Sequence, residues 1–493
     1  MTTGKMNRIV FALTLFSLTL LTGCMVGPDF VKPEVETPEQ YRYDLDPDKT
    51  ANDLRWWELF NDPDLYQLVT AALENNKDLK IAISRMEEAA YRLGFTRADQ
   101  LPGFTIEGGA TTGTFNGGNR SKDTNNSAWI GPTVNWEIDF WGKFRRSTEA
   151  SRAELLASRY AVRAVELSLV SEVVSAYYLL LDYRQRLEIS KSTLTSREEG
   201  LDIIQKRFDR GIIPELDVNQ AQIQREIAAA AIPRYRRLIA QTENAISILL
   251  GRLPSDIDSK VSLDDQQDPP YIPSRMPSQI LERRPDIGQS LEILHAENER
   301  IGVAVAQRFP AINLNAMAGL AYSDFGGITD EGGVWQAGAS LLGPIFQFGK
   351  NIRRVDIQEE RTRQALYGYE KSVLAAFREV EDALVSVQTY GDEITSIRDK
   401  RKAARNANKL SRARYDKGIS SYLEVLETER QLFEVELEYS ETRQNFFNAY
   451  VQLYKSLGGG WITRDDTQAG ALPAPNYKGE ILPGGQPEAG DPN

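Results

Sequence analysis

The sequence predicts an α+β membrane protein made of one structural unit used twice, each copy holding two β-strands and a long helical hairpin. Three observations lead there: a tandem repeat, four stretches of apolar/polar alternation, and helix-compatible runs far longer than a globular helix. The repeat is plainest in "RFDRGIIPELDVNQAQI" and "RYDKGISSYLEVLETER". Arg207 aligns with Arg414, Gly211 with Gly418, Leu216 with Leu423 and Gly251 with Gly458, each pair 207 apart. Such self-similarity marks a repeated supersecondary unit. Gly142-Lys143 and Gly349-Lys350 keep the same offset. The expected organisation is a signal peptide over residues 1–23, a lipidated N-terminal segment over 24–62, repeats over 63–251 and 285–458, a Pro- and Asp-containing linker over 252–284, and a Gly/Pro-rich extension over 459–493.

At the N-terminus, Lys5 and Arg8 precede the apolar run "IVFALTLFSLTLL", which ends in "LTGC". This resembles a bacterial lipobox. The resemblance implies cleavage before Cys24 and a covalent diacylglycerol and acyl chain on that residue, with no other cofactor, so that lipid tethers the chain to a membrane. Met25 stands where an Asp would signal retention at the inner membrane, which points to the outer membrane. Cys24 is the single cysteine, so there is no internal disulfide framework. With 41% hydrophobic and 26% charged residues the chain can build a large core. A net charge of −12 excludes a general nucleic-acid binder, which needs a basic surface. The sequence after the signal reads as lacking an apolar run of about 18 residues, so any bilayer crossing is expected from strands.

In the first copy, strands are expected from Phe104 and from Trp129. Ile130, Pro132, Val134, Trp136, Ile138 and Phe140 share one face, and Thr133, Asn135, Glu137 and Asp139 the other. The second copy alternates Leu314, Ala316, Ala318 and Leu320 against Asn313 and Asn315, then continues through Trp335, Ala337, Ala339, Leu341 and Ile345. The Gly/Asn/Asp-rich stretches "NGGNRSKDTNNS" and "SDFGGITDEGG" are expected as the connecting loops. Helices follow each strand pair. From Lys143 to Phe208 there is no Pro and a single Gly, Gly200, room for a helix of about 100 Å; a second run extends from Lys350 to Tyr415. Ala150, Ala157, Ala164 and Ser171 recur every seven residues, as do Val425, Leu432, Tyr439, Phe446 and Leu453. A seven-residue repeat implies left-handed supercoiling.

Such strands fit either a half-buried soluble sheet or a bilayer-spanning one. In lipid, four strands leave open edges, so several chains must share a barrel. Two chains would give eight strands around a filled interior, three would give twelve around a water-filled lumen. An oligomer with a shared pore is expected.

"MVGPDFVKPEVETP", "WWELFNDPDLYQLVTAALENNKDLKIAISR", "VNWEIDFWGK" and the doubled "R[FY]D[RK]GI…L[DE]V" together resemble the TolC family, specifically its lipoprotein, OprM-like branch. The resemblance spans about Cys24 to Gly458. It implies a homotrimer with a twelve-stranded outer-membrane β-barrel, four strands per chain, continuous with a long periplasmic α-helical barrel around one channel. It also implies a periplasmic adaptor protein and an inner-membrane pump, commonly of the resistance-nodulation-division (RND) type, and a passive exit role in efflux of drugs or other toxic solutes. Alternatives are a duct for type I protein secretion and a lipid-anchored coiled-coil adhesin or strut.

By the same resemblance Leu423, Glu424, Glu427 and Arg430 fall at the constricted mouth, and Asp217 and Tyr415 at tethers that hold it shut. Ser420 stands where some members carry an Arg, so the charged link is either missing or supplied by Arg414 or Arg430. Three competing readings come from the residues themselves: Ser421 and Glu424 fit a capping box, Glu427 fits a solvated helix face, and Asp217 fits a first-turn acid favoured by the helix dipole. His295 has no second ligand at metal spacing and reads as a helix-face residue. No phosphate-binding loop is present, so energy must come from a partner and no enzymatic activity is expected.

Overall fold

The computed structural model describes residues 25–43, 60, 62–115, 123–269, 280–281, 283–325 and 328–459. The signal peptide, Cys24, the double Trp and nearly all of the C-terminal extension lie outside the described residues. In chain order the elements are α1 (Pro63–Asn75), α2 (Lys77–Ala98), β1 (Gly103–Phe115), β2 (Asp123–Ile138), α3 (Lys143–Asp209), α4 (Glu215–Leu249), α5 (Pro285–Ala306), β3 (Ala311–Phe325), β4 (Ile328–Leu342), α6 (Lys350–Asp416) and α7 (Tyr422–Ser456). The repeat is exact in length: α3 and α6 each have 67 residues, α4 and α7 each 35. The described residues divide into two compact units, within Met1–Glu36, Ile83–Ala161 and Asp286–Val373, and within Thr37–Ala82, Val162–Pro285 and Leu374–Asn493.

The first unit holds one antiparallel sheet in the order β1-β2-β3-β4. Its register puts Phe104 opposite Val134, Ile130 opposite Leu320, and Ala318 opposite Trp335, so the apolar positions of all four strands share one face. That face is uncovered: Phe104, Ile106, Ile130, Leu320, Trp335 and Leu341 are all more than half exposed. On the other face Thr105 pairs with Thr133 at 2.7 Å and Thr111 with Ser127 at 2.6 Å. The strands have 13 to 16 residues, longer than the alternation alone suggested. β2 begins at Asp123, and β4 at Ile328, inside the stretches expected as loops, because ladder hydrogen bonds are indifferent to side-chain polarity. Phe140 and Ile345 lie beyond the strand ends although they continue the alternation.

An N-terminal strap is fastened to the same unit. Val26 N–H donates to Trp141 O at 3.2 Å, and Gly27 approaches Gly302 so closely that a Cβ would sit 2.4 Å from its Cα. Arg146, 2% exposed, is the fastener. It donates to Glu299 and Asp29, both at 2.8 Å, and to the carbonyls of Val26 and Gly27. Phe30 stacks on His295 at 4.4 Å, which gives that helix-face histidine a packing role. Trp141 stacks on Phe309 at 4.4 Å and donates to Pro310 O.

The second unit is built on buried seams. Asp62 caps α1 by accepting from Asp64 N and Leu65 N, with Pro63 at the first helical position. The same buried carboxylate accepts from Tyr177 and Gln266. Tyr178 stacks on Phe447 at 4.5 Å. Part of the segment expected as linker is pinned down: Leu263 and Gln266 are buried, and their carbonyls accept from Arg443. One expectation needs correcting: over an 18-residue stretch α3 is long and apolar enough to cross a membrane, by length and composition alone. Half of that stretch is buried in the protein, where Leu169, Val173, Val174, Leu180 and Leu181 form core.

Candidate functional site

The doubled turns joining α3 to α4 and α6 to α7 lie in the second unit, and they have one backbone geometry. Gly211 has φ 70° and Gly418 φ 71°, the left-handed conformation that a side chain disfavours. Around them Gly211 N–H donates to Phe208 O and Ile212 N–H to Arg207 O, while Gly418 N–H donates to Tyr415 O and Ile419 N–H to Arg414 O. Both are glycine-terminated helix ends whose last carbonyls are satisfied locally.

Side chains then distinguish the turns. Tyr422, Val425 and Leu426 of the second bury against Ile204 and Ala221 of the first, with Tyr415, Ile213 and Val218 packed around them. Arg207 places its guanidinium 4.6 Å from the Tyr415 ring centre, and Tyr415 lies 5.4 Å from Tyr422. Burial pushes the Tyr422 hydroxyl pKa well up, and the negative charges of Glu429 and Asp217 push it further.

Of the sequence-predicted residues, Leu423 is 62% exposed at the start of α7. Glu424 pairs with Arg414 at 3.1 Å. Ser421 occupies the N-cap position but makes no side-chain cap bond, so the capping-box reading of Glu424 gives way to an ion pair across the turn. Glu427 accepts from Arg430 at 2.7 Å and from Gln431 at 2.6 Å, and Arg430 also donates to Glu434 at 2.8 Å. Those hydrogen bonds, first from Arg430 and then from Gln431, hold the Glu427 carboxyl below its ordinary range. Asp217 sits in the first turn of α4. The Tyr415 hydroxyl and Ser420 Oγ are buried without a hydrogen-bond partner in the chain, so Asp217 and Tyr415 are not bonded to each other here. Arg414 and Arg430 are engaged by carboxylates of their own turn.

Among the described residues no cluster of His, Cys, Asp and Glu could hold a metal. Sequence reasoning missed Arg207 as a link between the turns, although an Arg at that place in both repeat motifs, Arg207 and Arg414, was a visible signal.

The profile of the family described as "Outer membrane efflux protein" matches residues 68–252 and 276–459. The chain is 34% identical over 472 residues to the solvent efflux pump outer membrane protein SrpC of Pseudomonas putida, across 91% of this chain and 98% of that one. It is 33% identical over 451 residues to the cation efflux system protein CusC of Escherichia coli O157:H7, across 90% and 96%. Its fold is similar to the solved outer-membrane channel OprN with a TM-score of 0.82, at 27% identity, across 89% of this chain and 100% of that one. The chain therefore belongs to the outer membrane efflux protein family.

Proposed function

We propose that three copies of the chain close a twelve-stranded barrel in the outer membrane and form the exit duct of a tripartite efflux pump. The duct receives toxic solutes from a periplasmic adaptor and an inner-membrane pump of the RND type and conducts them passively. The observation that carries this reading is the four-stranded sheet, whose outward apolar face is uncovered and whose strands β1 and β4 each have only one neighbour among the described residues. The apolar face does not suit water, and the open edges do not suit a lone chain in lipid. Threefold closure satisfies both, with the Thr/Asn/Glu face around a lumen. The long helices of both repeats then continue the channel through the periplasm.

In this reading Cys24, one residue before the strap, carries the lipid anchor. Glu424 and Glu427 supply acidic rings at the mouth, with Leu423 and Arg430 beside them. Asp217 and the unpartnered Tyr415 hydroxyl are tethers completed between neighbouring hairpins. Names of relatives support efflux, of solvents in SrpC and of cations in CusC. The test is single-channel recording of purified protein in planar bilayers, with native mass spectrometry of the same sample. A trimer that forms a stable cation-selective pore is expected. A folded trimer without conductance would return the chain to a structural role.

A further inference from the structure

A second feature of the hairpins lies away from the turns. Arg197 on α3 is 4% exposed, yet only its Nη1 finds an acceptor, the backbone oxygen of Gln224. Its Nε and Nη2 are buried with no hydrogen-bond partner in the chain, and so are Arg412 Nε and Asn408 Nδ2 on α6. All three residues line one cleft of about 430 Å³. Arg412 also donates to Ser196 Oγ at 2.6 Å, which fixes it beside Arg197. Among the lining residues the orphaned buried atoms are all donors, while Gln224, which takes Arg197 Nη1 on its backbone oxygen, leaves its own Oε1 buried without a donor outside the lining.

Charge tells the same story. The lining carboxylates are taken: Glu436 by Arg401 and Arg405, Glu429 by Arg412, and Glu188 by Lys191. What remains is the Arg197 guanidinium, set 5.0 Å from the Phe433 ring centre with no carboxylate in hydrogen-bond contact. Burial pushes its pKa down. Buried unmet donors are uncommon in native proteins and call for a partner. Water supplies acceptors but no charge to set against the guanidinium. Sulfate offers acceptors only and hydrogen phosphate mainly acceptors, and either neutralises a guanidinium in two-point geometry.

We propose that this cleft binds a small oxyanion of the phosphate or sulfate class, held by Arg197, Arg412 and Asn408 and bridging α3 of the first hairpin to α6 of the second. A ligand that binds one arrangement of two elements stabilises that arrangement. If the hairpins guard the duct mouth, a consequence that rests on the proposed function, the anion acts as a brake on their separation.

The test uses the purified full-length protein titrated with sodium phosphate in a calorimeter, against sodium chloride at matched ionic strength. Saturable phosphate binding is expected, with affinity lowered by about tenfold or more in Arg197→Gln. Asn408→Leu, which keeps the guanidinium, should weaken binding by about threefold and serves as the measure if Arg197→Gln does not fold. No saturable binding to the wild type, or unchanged affinity in the variants, overturns the site. In bilayers phosphate should lower the open probability of the wild type but not of the variants; binding with unaltered opening overturns the bridging role. A wild type that binds phosphate but never conducts defeats the duct reading and leaves the anion site standing.

Discussion

Under the repeat offset Asp217 and Glu424 are one position, as are Arg207 and Arg414, and Arg146 and Arg353. Their fates diverge. Arg207 reaches out of its own turn to the Tyr415 ring, whereas Arg414 stays within its turn on Glu424. Arg146 is buried against the strap, while the Arg353 side chain is 80% exposed and pairs with Asp356 at 3.4 Å. Helix α4 buries little beyond a seven-residue seam of Ala221, Ala228, Tyr235 and Thr242, leaving Leu216, Ile223, Ile227 and Ile248 open. Helix α7, of equal length, buries both stripes, with Val425, Tyr439 and Phe446 on one and Leu426, Phe433 and Phe447 on the other. Duplication thus preserved the backbone and changed the packing: α7 is packed within the chain, whereas α4 leaves an apolar face open.

The largest test of that divergence is the arginine pair. Arg146→Ala would leave the carboxylate of buried Glu299 without its guanidinium and release the strap, costing about 3–5 kcal/mol. Arg353→Ala should change stability by less than about 0.5 kcal/mol. Denaturant titration of the two variants side by side reads the difference, and equal losses would mean that burial at this position does not govern stability. Next in size is a test of backbone equivalence. Gly211→Ala and Gly418→Ala both meet open space, so each should cost only the left-handed strain of about 1–2 kcal/mol. Unequal losses would show that the turns are not the same element.

How much of this could be read from the chain depends on the range of the signal. The glycine pairs, the equal helix runs and the seven-residue stripes are local or periodic, and they stand where expected; Val425, Tyr439 and Leu453 are all buried. Strand ends are not legible in the alternation, because Phe140 and Ile345 continue it after the ladder has stopped. The strap was invisible as structure, since "MVGPDF" has no period and Arg146 finds Glu299 across 153 residues. Ser421 and Glu424 matched a local rule, but a nearby guanidinium outcompeted it. Arg197 in "TSREEG" looks like any solvated helix residue, and only tertiary burial exposes its unmet donors.

A smaller effect concerns charge at the turns. If the acids of the second turn face the pore, Glu424→Gln combined with Glu427→Gln should reduce cation-over-anion permeability by about two- to threefold, measured as a shift in reversal potential under a salt gradient. Asp217→Asn, at the matching place in the first copy, should do less, because that carboxylate lies close enough to the buried Tyr422 for its charge to raise the hydroxyl pKa. An equal or larger effect from Asp217→Asn would reverse the assignment of the acidic ring to the second copy.

The smallest effect is a pH displacement peculiar to the second turn, where Gln220 stands in the first copy at the position of Glu427. Arg430 and Gln431 hydrogen-bond the ionised form of Glu427 and lower its pKa. Its charge is therefore present above the ordinary carboxylate range and persists as pH falls into that range, disappearing only once the depressed pKa is crossed. Arg430→Gln removes the first and larger cause, so the carboxyl should protonate at a higher pH than in the wild type. Cation selectivity followed down a pH series should accordingly fade earlier in the variant. Coincident curves would show that Glu427 takes no part in selecting ions, leaving Glu424 to act alone.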